Sequence, residues 1–99
     1  MLNQVVLVGR IFSPVELELD GNCTVILKVT KGTKKSKSDD DSDYIDINLT
    51  GNIAQKMRDY CKENDLVGIK GHLRKNKNDF RMVVEAEKIT FLSGTKGDD

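Results

Sequence analysis

At 99 residues the chain has room for one domain with a modest core, and none for separate cofactor and substrate domains. Apolar residues make up 37% and charged residues 32%, the balance of a small soluble domain with a thin core and a heavily solvated surface. The 16 Lys and Arg cancel the 16 Asp and Glu, so net charge gives no argument for a nucleic-acid partner, and only the distribution of charge can inform.

Leu2 to Phe12 is dense in aliphatic and β-branched residues (Val5, Val6, Leu7, Val8, Ile11), as in a strand buried on both faces, with Gly9 marking a bend or bulge. Ser13-Pro14 breaks it. Val15, Leu17 and Leu19 then alternate with Glu16, Glu18 and Asp20, which predicts a half-buried strand. Asp20-Gly21-Asn22 signals a tight turn. From Thr24 to Thr30, Val25, Leu27 and Val29 take one face, and Thr24, Ile26, Lys28 and Thr30 the other. The three segments predict an antiparallel meander.

Lys31 to Ser42 reads KGTKKSKSDDDS and holds no large apolar residue. It cannot offset the entropy of ordering by burial, which predicts a long, mobile inter-strand loop over 31–43. Its first half is basic (Lys31, Lys34, Lys35, Lys37) and its second acidic (Asp39, Asp40, Asp41, Asp43). The acidic run is expected to be a solvated stretch, with autoinhibition of the basic half as the alternative.

Tyr44 to Thr50 reads as the third main strand, with Ile45, Ile47 and Leu49 opposed to Tyr44, Asp46, Asn48 and Thr50. Gly51 ends it, and Asn52 with Gln55 three residues on resembles a capping box opening a helix. Ile53, Met57, Tyr60 and Cys61 form its apolar stripe, and Asn64-Asp65 terminates it. Leu66 to Arg74 is a fourth strand, Lys75 to Asp79 a polar hairpin connection, and Phe80 to Leu92 the last strand. The change of phase between Val83-Val84 and Ile89-Phe91 predicts a bulge within it. This order suits an all-β, five-stranded OB-fold barrel with one helix between the third and fourth strands. It spans residues 1–93, and 94–99 form a short polar tail.

Cys23 and Cys61 fit no metal spacing, and His72 is the single histidine, so free thiols in a reducing compartment and no metal or other cofactor are expected. Asp46, Asp65 and Asp79 are paired with no activated nucleophile, and no catalysis is expected. The opening MLNQVVLVGRI lacks the basic start and long apolar core of a signal peptide, and no stretch approaches a membrane span. A cytoplasmic protein is expected.

Several stretches match more than a pattern. MLNQVVLVGRI with Pro14 and Glu16-Leu17, then DYIDINLTGNIAQKM, LVGIKGHLR and VVEAEKITFL, run in order along most of the chain. This ordered set resembles the bacterial single-stranded DNA-binding proteins, as a short or divergent member. The resemblance implies an OB fold, assembly into a homo-dimer or homo-tetramer, and sequence-tolerant binding of single-stranded DNA in replication, recombination or repair, near the nucleoid. It also implies that replication or recombination proteins can be partners. The family usually stacks bases on several aromatics, often tryptophans, and this chain has none. Tyr44 sits at one such position, Thr50 replaces another, and Phe80 stands two residues beyond the place of a third, now Asn78. Asp46 lies on the expected DNA face, where a basic residue would be natural. Family members tend to end in an acidic tail closed by Pro-Phe, whereas this sequence stops at Gly97-Asp98-Asp99, so either a tail has been removed or its recruiting function is absent. The alternatives are a replication-restart accessory protein and an OB-fold interaction scaffold with weak or no DNA binding.

A single strand needs a positive groove and stacking platforms. The candidate contacts are Lys28, Lys31, Lys34, Lys35, Lys70, Arg74, Lys75, Lys77 and Arg81 for phosphates, with Tyr44 and Phe80 for bases. In an OB barrel the two basic ribbons flank one open face, and nearby charges outweigh remote ones. With few aromatics, binding is expected to lean on phosphates and to be weaker and more salt-dependent than in a tryptophan-rich relative. Phe12, Tyr60 and Phe91 are expected in the core or at an interface. The apolar first strand, through Gln4, Val6 and Val8, is expected to pair with a second copy, which covers an aggregation-prone edge.

Overall fold

A computed structural model describes residues 2–31, 41–76 and 79–92. Five strands and one helix follow in the order β1 (Val5–Ile11), β2 (Cys23–Thr30), β3 (Ser42–Leu49), α1 (Gly51–Tyr60), β4 (Leu66–Lys75) and β5 (Met82–Phe91). The strands close a barrel in the order β1-β2-β3-β5-β4. All neighbours are antiparallel except β3 and β5, which run parallel with Ile47 opposite Val84. This is the five-stranded barrel expected, with its helix between the third and fourth strands.

Alternation drives the inside of the barrel. Val25 and Leu27 from β2, Ile47 and Leu49 from β3, Val67 and Ile69 from β4, and Val84 and Ala86 from β5 form one buried cluster. Ala54 and Met57 bring the helix into the same cluster, and α1 packs against β5. No polar or charged residue is buried among the described residues. The Cys23 thiol is the one titratable side chain in that core among the described residues, and the charged side chains lie on the outer wall.

Two glycines let strands approach more closely than a side chain allows. A Cβ at Gly9 would fall 2.4 Å from the carbonyl oxygen of Lys28, and one at Gly71 would fall 2.1 Å from that of Glu85. Gly9 lets β1 turn from β4, which it pairs along Val5–Arg10, toward β2, which it meets at Arg10 and Ile11. Gly71 marks a break in register, since Lys70 faces Lys88 while Gly71 faces Ala86. Glu87 is the extra residue, and the bulge expected in β5 sits there. Its carboxylate meets His72 Nδ1 at 2.6 Å.

Three expectations need correction. Val15–Leu19 is not a strand: β3 occupies one side of β2, and the segment makes a single ladder-like bond, from Glu18 N to Asn22 O at 2.7 Å. Its alternation still sorts side chains, because Val15 and Leu17 pack on the core while Leu19 is fully exposed. The capping box is not used: α1 begins at Gly51, with Thr50 as N-cap and no side-chain cap bond. The inter-strand connection is shorter than expected, since β3 already starts at Ser42, opposite Thr30. Of the residues expected in the core or at an interface, Phe12, Tyr60 and Phe91 are all exposed on the single chain, and Tyr60 packs on Phe91 with ring centroids 5.7 Å apart.

Candidate nucleic-acid interface

The outer wall of β1, β2 and β3 brings together residues far apart in sequence. Inward Val25 and Leu27 force Ile26 and Lys28 outward, and inward Ile47 and Leu49 do the same for Tyr44 and Asp46. The register sets Arg10 opposite Lys28, Lys28 opposite Tyr44, and Ile26 opposite Asp46. Two cations and an aromatic ring thus form one row across three strands. Phe12, two residues beyond Arg10, packs edge-to-face on Tyr44 with centroids 4.8 Å apart. It is 51% exposed, and Tyr44 44%.

The β4–β5 connection reaches the same wall. Arg81 Nη1 lies 3.3 Å from Asp46 Oδ2, and Arg81 Nε lies 3.4 Å from Asp79 Oδ2. Beside it, Lys75 Nζ stands 4.7 Å from the centre of the Phe80 ring, which is 86% exposed. The described parts of the two basic ribbons therefore meet on one side of the barrel, with Tyr44 between them.

The remaining candidates divide by position. Lys31 stays at the end of β2, but its Nζ is 3.5 Å from Asp43 and 3.9 Å from Asp41, so the acidic stretch meets this candidate cation. Arg74 lies in β4 opposite Val83, in the stretch leading to the connection. Lys70 is not with the others. It faces Val6 on one side and Lys88 on the other, four residues along β1 from Arg10, and shares a recess with Val8, Thr90 and Leu92. Exposed Gln4, Val6 and Val8 lie on this second wall, Val6 being 69% and Val8 53% exposed. Lys34, Lys35 and Lys77 lie outside the described residues.

The sequence reading omitted Arg10 and Phe12. The signal lies in β1, where Val6, Val8, Arg10 and Phe12 share a period of two, but the density of aliphatic residues there masks it by predicting a strand buried on both faces. Among the described residues no cluster of three His, Cys, Asp or Glu could hold a metal, and no helix is long and apolar enough to cross a membrane.

Barrel closure, strand order and helix position define an OB-fold module with a basic and aromatic outer wall. The chain belongs to the single-strand binding protein family, whose model matches residues 2–92. It is 33% identical over 73 residues to a single-stranded DNA-binding protein of Thermosynechococcus vestitus, a match covering 74% of this chain and 61% of that protein. It is 28% identical over 108 aligned positions to single-stranded DNA-binding protein A of Bacillus subtilis, covering 98% of this chain and 63% of the relative. The chain thus spans about three-fifths of the length of these relatives. Among solved structures, the dimeric N-terminal domain of PriB from Thermoanaerobacter tencongensis superposes with a TM-score of 0.71 at 27% identity, covering 93% of this chain and 98% of that one. The SSB domain of a Synechococcus protein gives 0.67 at 19% identity, covering 91% and 96%, and supports the fold.

Proposed function

We propose that the chain binds single-stranded DNA with little base preference and takes part, without catalysis, in protecting the strand during replication, recombination or repair. What supports this most is the convergence on one wall of Lys28 and Tyr44 with Lys75, Phe80 and Arg81, through the Arg81–Asp46 contact, in a chain of this family. The rings offer stacking, at about 1–3 kcal/mol per base, and the cations offer phosphate contacts. Lys34, Lys35 and Lys77 extend the same two ribbons in sequence and are assigned to the backbone as well. The reading places the protein with DNA in the cytoplasm.

The test is anisotropy of a labelled dT oligomer at two ionic strengths, with a duplex of equal length as control. Binding to the single strand that weakens steeply with salt, and about 1–3 kcal/mol lost in Tyr44→Ala, is the expected result. No binding at low salt would overturn the reading.

A homo-dimer or tetramer is part of the proposal. Val6 and Val8 expose an apolar strip that a second copy would cover. The likeness to the dimeric PriB domain supports this and also fits the alternative of a replication-restart accessory protein. That alternative predicts that DNA binding is accompanied by binding to a replication protein, which a pull-down with DNA-free protein would separate.

A further inference from the structure

We propose that the recess between Arg10 and Lys28 holds a backbone phosphate, and that with the neighbouring Phe12–Tyr44 corner it forms a one-nucleotide subsite. The proposal rests on the reading of this chain as a single-strand binder, and it assigns two residues, Arg10 and Phe12, to the ligand.

The recess measures about 280 Å³ and is lined by Arg10, Lys28, Thr30 and Asn64, with Val8 and Leu66 as apolar walls. A water occupies about 30 Å³ in the liquid, so a phosphate fits with part of its hydration. Arg10 and Lys28 stand directly opposite each other in the β1–β2 ladder. Like charges at such a pair destabilise a sheet. Among the described residues neither has an acidic partner, whereas Lys31 and Arg81 are both paired with aspartates. An anion between Arg10 and Lys28 would remove the repulsion that the apo fold tolerates.

The guanidinium is also pre-set. Arg10 Nη1 donates to the carbonyl of Asn64 at 3.1 Å, which holds the side chain and leaves its other N–H groups for a bidentate contact. Gly9 allows the approach, because any Cβ there would strike the Lys28 carbonyl. The aromatic corner adjoins the recess: Phe12 lies two residues beyond Arg10, and Tyr44, on which it packs, faces Lys28 across the ladder. A base on this corner would keep its own phosphate over the recess.

The experiment measures anisotropy of a labelled dT oligomer across a salt series for the intact chain and for Arg10→Gln, Lys28→Gln and Phe12→Leu. Lys56→Gln on the exposed side of α1 controls for a simple loss of charge. Arg10→Gln and Lys28→Gln should each lower the slope of log K against log salt by about 0.7, as expected for one phosphate contact. Phe12→Leu should weaken binding about tenfold with the slope unchanged, as loss of one stack requires. Thermal melting without DNA identifies a folding defect, and the two charge variants test the recess independently, since only Arg10 contacts Asn64. An unchanged slope in Lys28→Gln, or an equal drop in Lys56→Gln, overturns the subsite while the binding reading stands. Absence of binding by the intact chain overturns both.

Discussion

Arg81 crosses from the β4–β5 connection to β3, where its Nη1 meets the carboxylate of Asp46 at 3.3 Å. The contact ties the connection to the wall that carries Tyr44, and under the proposed function it neutralises a cation that a phosphate would otherwise use. Both side chains are solvent-accessible, so the pair adds little to folding, about 0–1 kcal/mol. Its effect falls on the ligand. Asp46→Asn is therefore expected to tighten single-strand binding several-fold and to steepen the salt slope by up to about 0.7, with the melting temperature nearly unchanged. A salt series by anisotropy checks this, and weaker binding by Asp46→Asn would show that the carboxylate positions Arg81 rather than competes for it.

Gly71 has the least room for a side chain of the described glycines. Gly71→Ala would press a methyl group onto the Glu85 carbonyl at a separation of 2.1 Å, beside the bulge at Glu87. Neither strand can withdraw without breaking the β4–β5 ladder. The expected cost is at least about 1–3 kcal/mol, read as a lower midpoint in urea. Gly9→Ala, against the Lys28 carbonyl, should behave similarly.

The Cys61 thiol is pushed up to about 11 by burial first and by the neighbouring Asp65 charge second, and burial raises Cys23 too. Both thiols should react slowly with Ellman's reagent at neutral pH and rapidly once the chain is unfolded. The ordinary thiol value is 9.0, so the folded chain holds this proton more tightly than the unfolded one. Cys61 thus contributes stability that is intact below pH 9.0 and declines as pH rises toward about 11. Urea midpoints of the parent and Cys61→Ser should converge over that interval. A constant difference would refute the shift.

Val6 and Val8 are the most exposed residues within β1 that carry no charge or amide. Val6→Glu should leave the barrel folded, because the side chain does not enter the core, and should yield a monomer if β1 is the contact between copies. Sedimentation velocity of the parent and the variant at micromolar concentration decides it. A parent that is itself monomeric removes the proposed assembly.

Much of the fold was legible in the sequence because inside-outside sorting in a strand is local. Residues two apart share a face, so the alternation of Val25 with Ile26, Leu27 with Lys28, and Ile47 with Asn48 identifies the core without knowledge of any partner. The turn at Asp20-Gly21-Asn22 is equally local, and Gly21 adopts a φ of +85° there. Tyr44 and Lys28 could be named as surface candidates on the same ground.

Neighbours across strands carry no such local signature. Alternation says that Lys28, Tyr44 and Asp46 face outward, but only barrel closure puts Arg10 beside Lys28, Phe12 on Tyr44 and Arg81 on Asp46. Lys70 shows the converse: its basic character suggested the cleft, and its register assigned it to the wall of Val6 and Val8. Val15–Leu19 has a strand's periodicity but lacks the full ladder that makes a strand. Patterning records which side of a sheet a residue takes. Which charges meet, cancel or repel on that side is set by pairing between distant segments, and so belongs to the folded barrel alone.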